Sequence, residues 1–160
     1  MTYIYDESYL ADVQKNLGFF FQFLMWNLKI TPDNAQSIFL DSHIPYQIEI
    51  GNPDYLCGKS GYELAMLALP ERDLMKEIEK AVEEPFYPQA EYWCGYVLAY
   101  SQWKHSMKFE AILQNYPLAL LMQSYNLLHE CDITKVDEII MEKCSEVYPR
   151  GPERTMRKPM

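Results

Sequence analysis

Apolar residues recur along this chain at helical rather than strand spacing. Leu10, Val13, Leu17, Phe20, Phe21, Leu24 and Leu28 fit one face of a 3.6-residue period. Asp6, a good helix-capping residue, precedes them, so the spacing predicts a first helix from Asp6 to about Lys29. Phe19, Phe23, Met25 and Trp26 widen the apolar stripe beyond one face. Such a helix is either central to the core or shared with a second chain.

Punctuation residues mark the elements that follow. Thr31-Pro32 is a helix start, a capping hydroxyl ahead of a proline at the first helical position, for a helix over Asp33 to Leu40. Pro45 restarts a short helical segment ending at Gly51. Asn52-Pro53 is a turn, followed by a single helical turn that Gly58 ends. Ser60-Gly61-Tyr62-Glu63 matches a capping box and opens a helix containing Leu64, Ala65, Leu67, Ala68 and Leu69. Pro70 begins another, Glu71 to about Glu84, whose mixed acids and bases read as a solvated surface helix. Pro85 and Pro88 bound a short linker. Ala90 to Ser106 is apolar on most sides, which predicts a buried helix. Ser106 caps a turn through Phe109, Ile112 and Leu113. Pro117 opens a helix through Leu118, Leu121, Met122, Tyr125 and Leu128. Asp132 caps the last, with Ile133, Val136, Ile139, Ile140 and Val147 inward. Tyr46 to Ile50 alternates and is the one place for a short extended piece, although it lies between helix breakers with no partner run nearby. The fold class that results is all-α: a compact single-domain bundle of about seven helices over residues 1–149, then a basic, disordered tail over 150–160.

Composition fits this picture. A chain of 160 residues with 49% hydrophobic content is long enough for one core without metals or disulfides. Thirteen tyrosines suit core and rim packing, where the ring is buried and the hydroxyl reaches water. The net charge of −9 is uneven. Four basic residues and one acid lie between Arg150 and Met160, so the body carries −12. That sign disfavours direct DNA binding and suits either solubility or a basic protein surface. The tail lacks interleaved aromatics and would touch nucleic acid only weakly.

Candidate chemistry is sparse. Gly58-Lys59-Ser60-Gly61 lacks the earlier glycine and the preceding strand of a phosphate loop. His129 and Cys131, two residues apart, face different directions and Cys144 lies well along the last helix, so a composite zinc site is not expected. The four cysteines, 57, 94, 131 and 144, have no C-x-x-C spacing and read as reduced, mostly buried thiols. Glu91 and Glu130 read as helix-end or interface carboxylates rather than general acids. No catalytic, cofactor-binding or metal-binding residue is assigned, and no enzyme is expected. The start Met1-Thr-Tyr-Ile lacks the basic segment of a signal peptide, so none is expected. The longest apolar run, Leu17 to Leu28, is interrupted and shorter than the ~20 residues a membrane span requires. A cytoplasmic protein is the expectation.

Three blocks carry a resemblance. They are Glu91-Tyr92-Trp93-Cys94-Gly95-Tyr96-Val97-Leu98-Ala99-Tyr100-Ser101-Gln102-Trp103, the run from Asn52 to Ala65, and Leu128-His129-Glu130-Cys131-Asp132-Ile133. Over most of residues 1–149 the chain resembles a helical N-terminal region found ahead of helix-turn-helix domains in regulators of Firmicutes and their mobile elements. In that family a proline-containing linker similar to Val147-Tyr148-Pro149 leads into the DNA-binding domain. This sequence stops just after it. The resemblance implies a sensing, dimerising or partner-binding half, and supplies no catalytic residues.

The functional expectation is a non-enzymatic protein-binding module from a bacterial or phage mobile element. By analogy with anti-CRISPR proteins it acts as an acidic inhibitor of a basic nucleic-acid-binding effector such as a Cas nuclease, or else as a regulator. The alternative is the small-molecule-sensing domain of a transcription regulator, with an aromatic-lined pocket. The expected partner-binding residues are Tyr5, Tyr9, Phe23 and Trp26, as a homodimer seam, and the acids Glu77, Glu83 and Glu84.

Overall fold

The structure, a computed structural model, describes residues 2–147. The Tyr148-Pro149 linker and the basic tail lie outside the described residues, as does the side chain of Val147. Among the described residues the fold is all-helical, with ten α-helices and no strand.

The long first helix follows from its cap. Asp6 accepts from the Ser8 N–H at 2.9 Å and starts a 3-10 turn, Glu7–Tyr9, that runs on into α1, Leu10–Gln22. The helix continues as a π turn, Phe23–Asn27, in which the Leu28 N–H reaches back five residues to the Phe23 carbonyl at 2.9 Å. The wider turn rotates Phe23, Leu24 and Met25 all into the core. Lys29, left-handed at φ 59°, stops it.

Short helices wrap this rod. They are α2 (Pro32–Asp41), α3 (Ile44–Glu49), α4 (Pro53–Leu56), α5 (Gly61–Ala68) and α6 (Met75–Glu83). The Ser60–Glu63 capping box forms in full. The alternating stretch Tyr46 to Ile50 is helical, in α3 and its C-cap. Pro70 does not start a helix. Asp73 accepts from the Met75 N–H instead, and α6 begins there, four residues later than the expected Glu71.

The second half supplies α7 (Ala90–His105), α8 (Phe109–Asn115), α9 (Leu118–Leu128) and α10 (Ile133–Val147). Ser106 was expected to cap forward; it instead closes α7 behind it. At φ 51° its N–H bonds Trp103 O while Met107 N–H bonds Gln102 O, the paired bonds of a left-handed helix end. Neither α8 nor α9 has a side-chain cap of its own. Glu49 of α3 accepts from Phe109 N–H, and Gln36 of α2 accepts from Leu118 N–H, each at 2.8 Å. Residues far away in sequence thus satisfy these helix starts.

The core centres on α1 and α7. α1 also touches α4 and α5, and α7 touches α8, α9 and α10. Phe20, Phe21, Phe39 and Phe109 form a fully buried ring cluster joining α1, α2 and α8, with centroids 5.0 to 5.7 Å apart. The closest approach lies at Gly95. A Cβ there would stand 2.2 Å from the Leu17 carbonyl oxygen and 2.7 Å from the Gly18 nitrogen. At Gly61 it would stand 2.6 Å from the Asn16 oxygen. Both obstacles are backbone, so neither can turn aside as a side chain would. Gly95→Ala gains about 1 kcal/mol in helix propensity but forces α1 and α7 apart. We expect a net loss of about 2 kcal/mol or more in urea unfolding, in the upper range for overpacking; unchanged or raised stability would show that the two backbones are not in contact.

Candidate functional site

The surface beside the π turn and α6 gathers residues that sequence spacing keeps apart. Pro85 lacks an N–H and ends α6, and Pro88 lies just before α7, so residues 84–89 cross in extended form. The crossing lays Phe86 against Phe19 of α1, ring centroids 5.0 Å apart, and against Tyr92 of α7 at 5.2 Å. Phe86 is nevertheless 49% exposed and Tyr87 67% exposed; Val82 of α6 is 62% exposed and Trp26 of the π turn 43%. These four surround one open cleft of about 420 Å³, with Phe19 and Tyr62 also in its lining. α6 is held to the body chiefly by Leu74, just before it, and by Ala81, which are buried.

The cleft has one charged lining residue, Glu84. Asn27 Nδ2 donates to Glu84 Oε1 at 3.3 Å. Burial, and secondarily the Glu84 charge, push the Tyr62 hydroxyl upward in pKa. A second cleft adjoins across Trp26, Asn27 and Glu84 and is lined by Lys29, Lys76, Glu77 and Lys80. Lys29 Nζ stands 4.5 Å over the Trp26 ring.

The expected interface residues divide. Trp26, Glu77 and Glu84 all line these clefts. Glu83 is exposed but faces a different depression, with Ile78 and Val82. Of the seam expected over Tyr5, Tyr9, Phe23 and Trp26, Tyr5 and Phe23 are buried within the chain itself and are not surface aromatics. Phe23 is fully buried, edge-on to Tyr62 at 5.5 Å, because the π turn carries it inward. Tyr5 is buried because its carbonyl accepts the Trp103 indole N–H at 3.0 Å, which draws the N-terminal segment over α7. Its hydroxyl has no hydrogen-bond partner, and burial holds its pKa well above the ordinary tyrosine value. Tyr9 is half-buried against it, ring centroids 6.5 Å apart. Phe86, Tyr87 and Val82 were missed. Two prolines bracketing two aromatics was the available signal.

A second polar cluster joins α7 to α10. Buried Asp137 accepts from Ser101 Oγ at 2.7 Å and meets His105 Nε2 at 2.8 Å. The three residue types are those of a hydrolase, but the wiring differs. The carboxylate lies between the other two, whereas a nucleophilic serine needs the imidazole on its own oxygen. Ser101 is fully buried, so substrate has no path to it. The trio is a buried tie between helices. Among the described residues, no group of three or more His, Cys, Asp or Glu could hold a metal ion. No described helix is long and apolar enough to cross a membrane.

The thiols split evenly rather than being mostly buried. Cys57 and Cys131 are exposed; Cys94 and Cys144 are buried. Burial first, then the nearby Glu91 charge, pushes the Cys94 thiol well up in pKa; burial, then the Asp137 charge, raises that of Cys144.

No family model matches the chain, and no curated protein and no solved structure matches it. The site must speak for function by its own chemistry.

A thiol reagent such as dithionitrobenzoate at pH 8 should label Cys57 and Cys131 within minutes. Cys94 and Cys144 should react only after unfolding, at roughly the global unfolding free energy. Rapid labelling of all four in native protein would contradict the packing of α7 and α10.

Proposed function

We propose that the protein is a non-enzymatic protein-binding module that docks its partner at the cleft between the π turn and residues 82–87. The observation that carries this reading is the convergence of Trp26, Val82, Phe86 and Tyr87, all substantially exposed, around one concave site. Scattered apolar side chains on a surface need no explanation, but an aromatic cluster in a cleft with a charged rim has the composition of a binding hot spot. The proline-bracketed crossing restricts the backbone that presents Phe86 and Tyr87, which lowers the ordering cost of association.

The charge of the body, −12 over residues 1–149, favours a basic partner. A nucleic-acid-binding effector such as a Cas nuclease has such a surface, and an acidic inhibitor acting on it is the role we propose. A regulator of the kind found with helix-turn-helix domains would use the same cleft. A small-molecule sensor is the second reading. The cleft volume of about 420 Å³ suits one, within the ~300–1,000 Å³ typical of ligand sites, although its open side suits a macromolecular partner better.

The test is affinity capture from bacterial lysate with the tagged full chain and three variants. Trp26→Ala and Phe86→Ala should each reduce recovery of a stoichiometric partner at least tenfold, as hot-spot truncation does. Leu127→Ser alters an α9 residue that is 83% exposed and distant in sequence from the cleft, and should leave recovery unchanged. Equal recovery with all variants would remove the cleft from the interface. A small molecule that co-purifies with wild type and is absent from Trp26→Ala would replace the protein partner by a ligand.

A further inference from the structure

The cleft also has a chemical preference, and this inference rests on the docking role just proposed. The rings of Trp26, Tyr62 and Phe86 offer π faces, which attract cations electrostatically. Glu84 contributes the single formal charge of the lining, and it is negative. Gln22, half-buried in the same wall, has a buried carbonyl oxygen with no hydrogen-bond donor. Aromatic faces, a carboxylate and an amide oxygen lacking a donor together suit a cation that carries N–H groups. The chain supplies its own precedent, since Lys29 Nζ already lies over the Trp26 ring at 4.5 Å.

We propose that the cleft is a subsite for an arginine side chain projected by a basic protein partner. The guanidinium stacks among the rings, donates to the Glu84 carboxylate, and offers a donor to Gln22 Oε1 once that buried side chain turns outward into the cleft. Arginine fits better than lysine. Its planar, weakly hydrated cation stacks on aromatic faces and can donate two parallel bonds to one carboxylate. The adjoining cleft sets the direction of binding. Lys29, Lys76 and Lys80 outnumber Glu77 and Glu84 there, so a cation is repelled from that end and held at the aromatic end, while an acidic neighbour in the partner segment is welcomed by the lysines.

The proposal is tested with capped peptides added to the full chain, Gly-Arg-Gly against Gly-Gln-Gly, followed by ¹H–¹⁵N correlation spectra of the Trp26 indole and of backbone residues 81–89. The arginine peptide should give saturable shifts in the millimolar range, confined to these signals, and the glutamine peptide none. Glu84→Gln, at an exposed position, should weaken arginine binding about tenfold, the scale of a lost charge-assisted bond. Gln22→Met should weaken it several-fold. Equal binding of the two peptides, no saturable shift, or full affinity in Glu84→Gln would overturn cation recognition. The docking role would survive that result if captured partner were still lost with Trp26→Ala, and would fall with it if capture were indifferent to both cleft variants.

Discussion

Everything in this fold is arranged around the contact between the backbones of α1 and α7. Gly95 has no side chain where the Leu17 carbonyl of α1 passes, and no other residue could stand at that point without separating the helices. Close approach there lets flanking side chains of both helices interdigitate. Leu17, Phe20, Phe21 and Leu24 are fully buried from one side, and Cys94, Leu98 and Ala99 from the other. Gly61 repeats the device for α5. The short helices α2 to α4 would be marginal alone and persist because they pack into the fold: α4 against α1, α2 through Phe39 on Phe20 and Phe21, and α3 against α2 and α4.

The same contact shapes the candidate site. α1 seated tightly on α7 brings Phe19 and Tyr92 to one edge, with centroids 5.4 Å apart in an edge-on pair. Phe86 closes over both. The linker between α6 and α7 can then cross in extended form, its two prolines leaving few alternatives for the backbone. The aromatic cleft is therefore a consequence of helix packing at its floor and of proline chemistry at its rim. Its one formal charge comes from Glu84, the residue at which α6 ends.

Much of this was legible in the sequence. The all-helical class, the Asp6, Thr31 and Ser60 caps, and the buried character of Ala90 to Ser106 all follow from local rules, and the structure has them. What was not legible depends on long-range contact. Phe23 lies off the 3.6-residue stripe and reads as a surface residue until a π turn rotates it inward. Tyr5 reads as a free aromatic until Trp103, 98 residues away, bonds its carbonyl. Ser106 has the chemistry of a forward cap, but Glu49 takes that work from across the fold. Asp137, Ser101 and His105 carry no local signature at all. Of the interface expectations, Trp26, Glu77 and Glu84 reach the clefts because they lie at helix ends or on a solvated helix, where local rules still govern exposure. No such rule covers Phe86 and Tyr87: a proline-bracketed linker has the composition of a spacer, and only the contacts with Phe19 and Tyr92 make it a platform.

The central claim is that the cleft between the π turn and residues 82–87 is the surface through which this protein acts. Hydrogen–deuterium exchange of the full chain, alone and with its captured partner, tests it most directly. The account predicts that protection on binding concentrates in residues 22–29 and 75–89 and leaves α9 and α10 unchanged. Protection confined to residues 118–147, with the cleft exchanging as in the free protein, would contradict it.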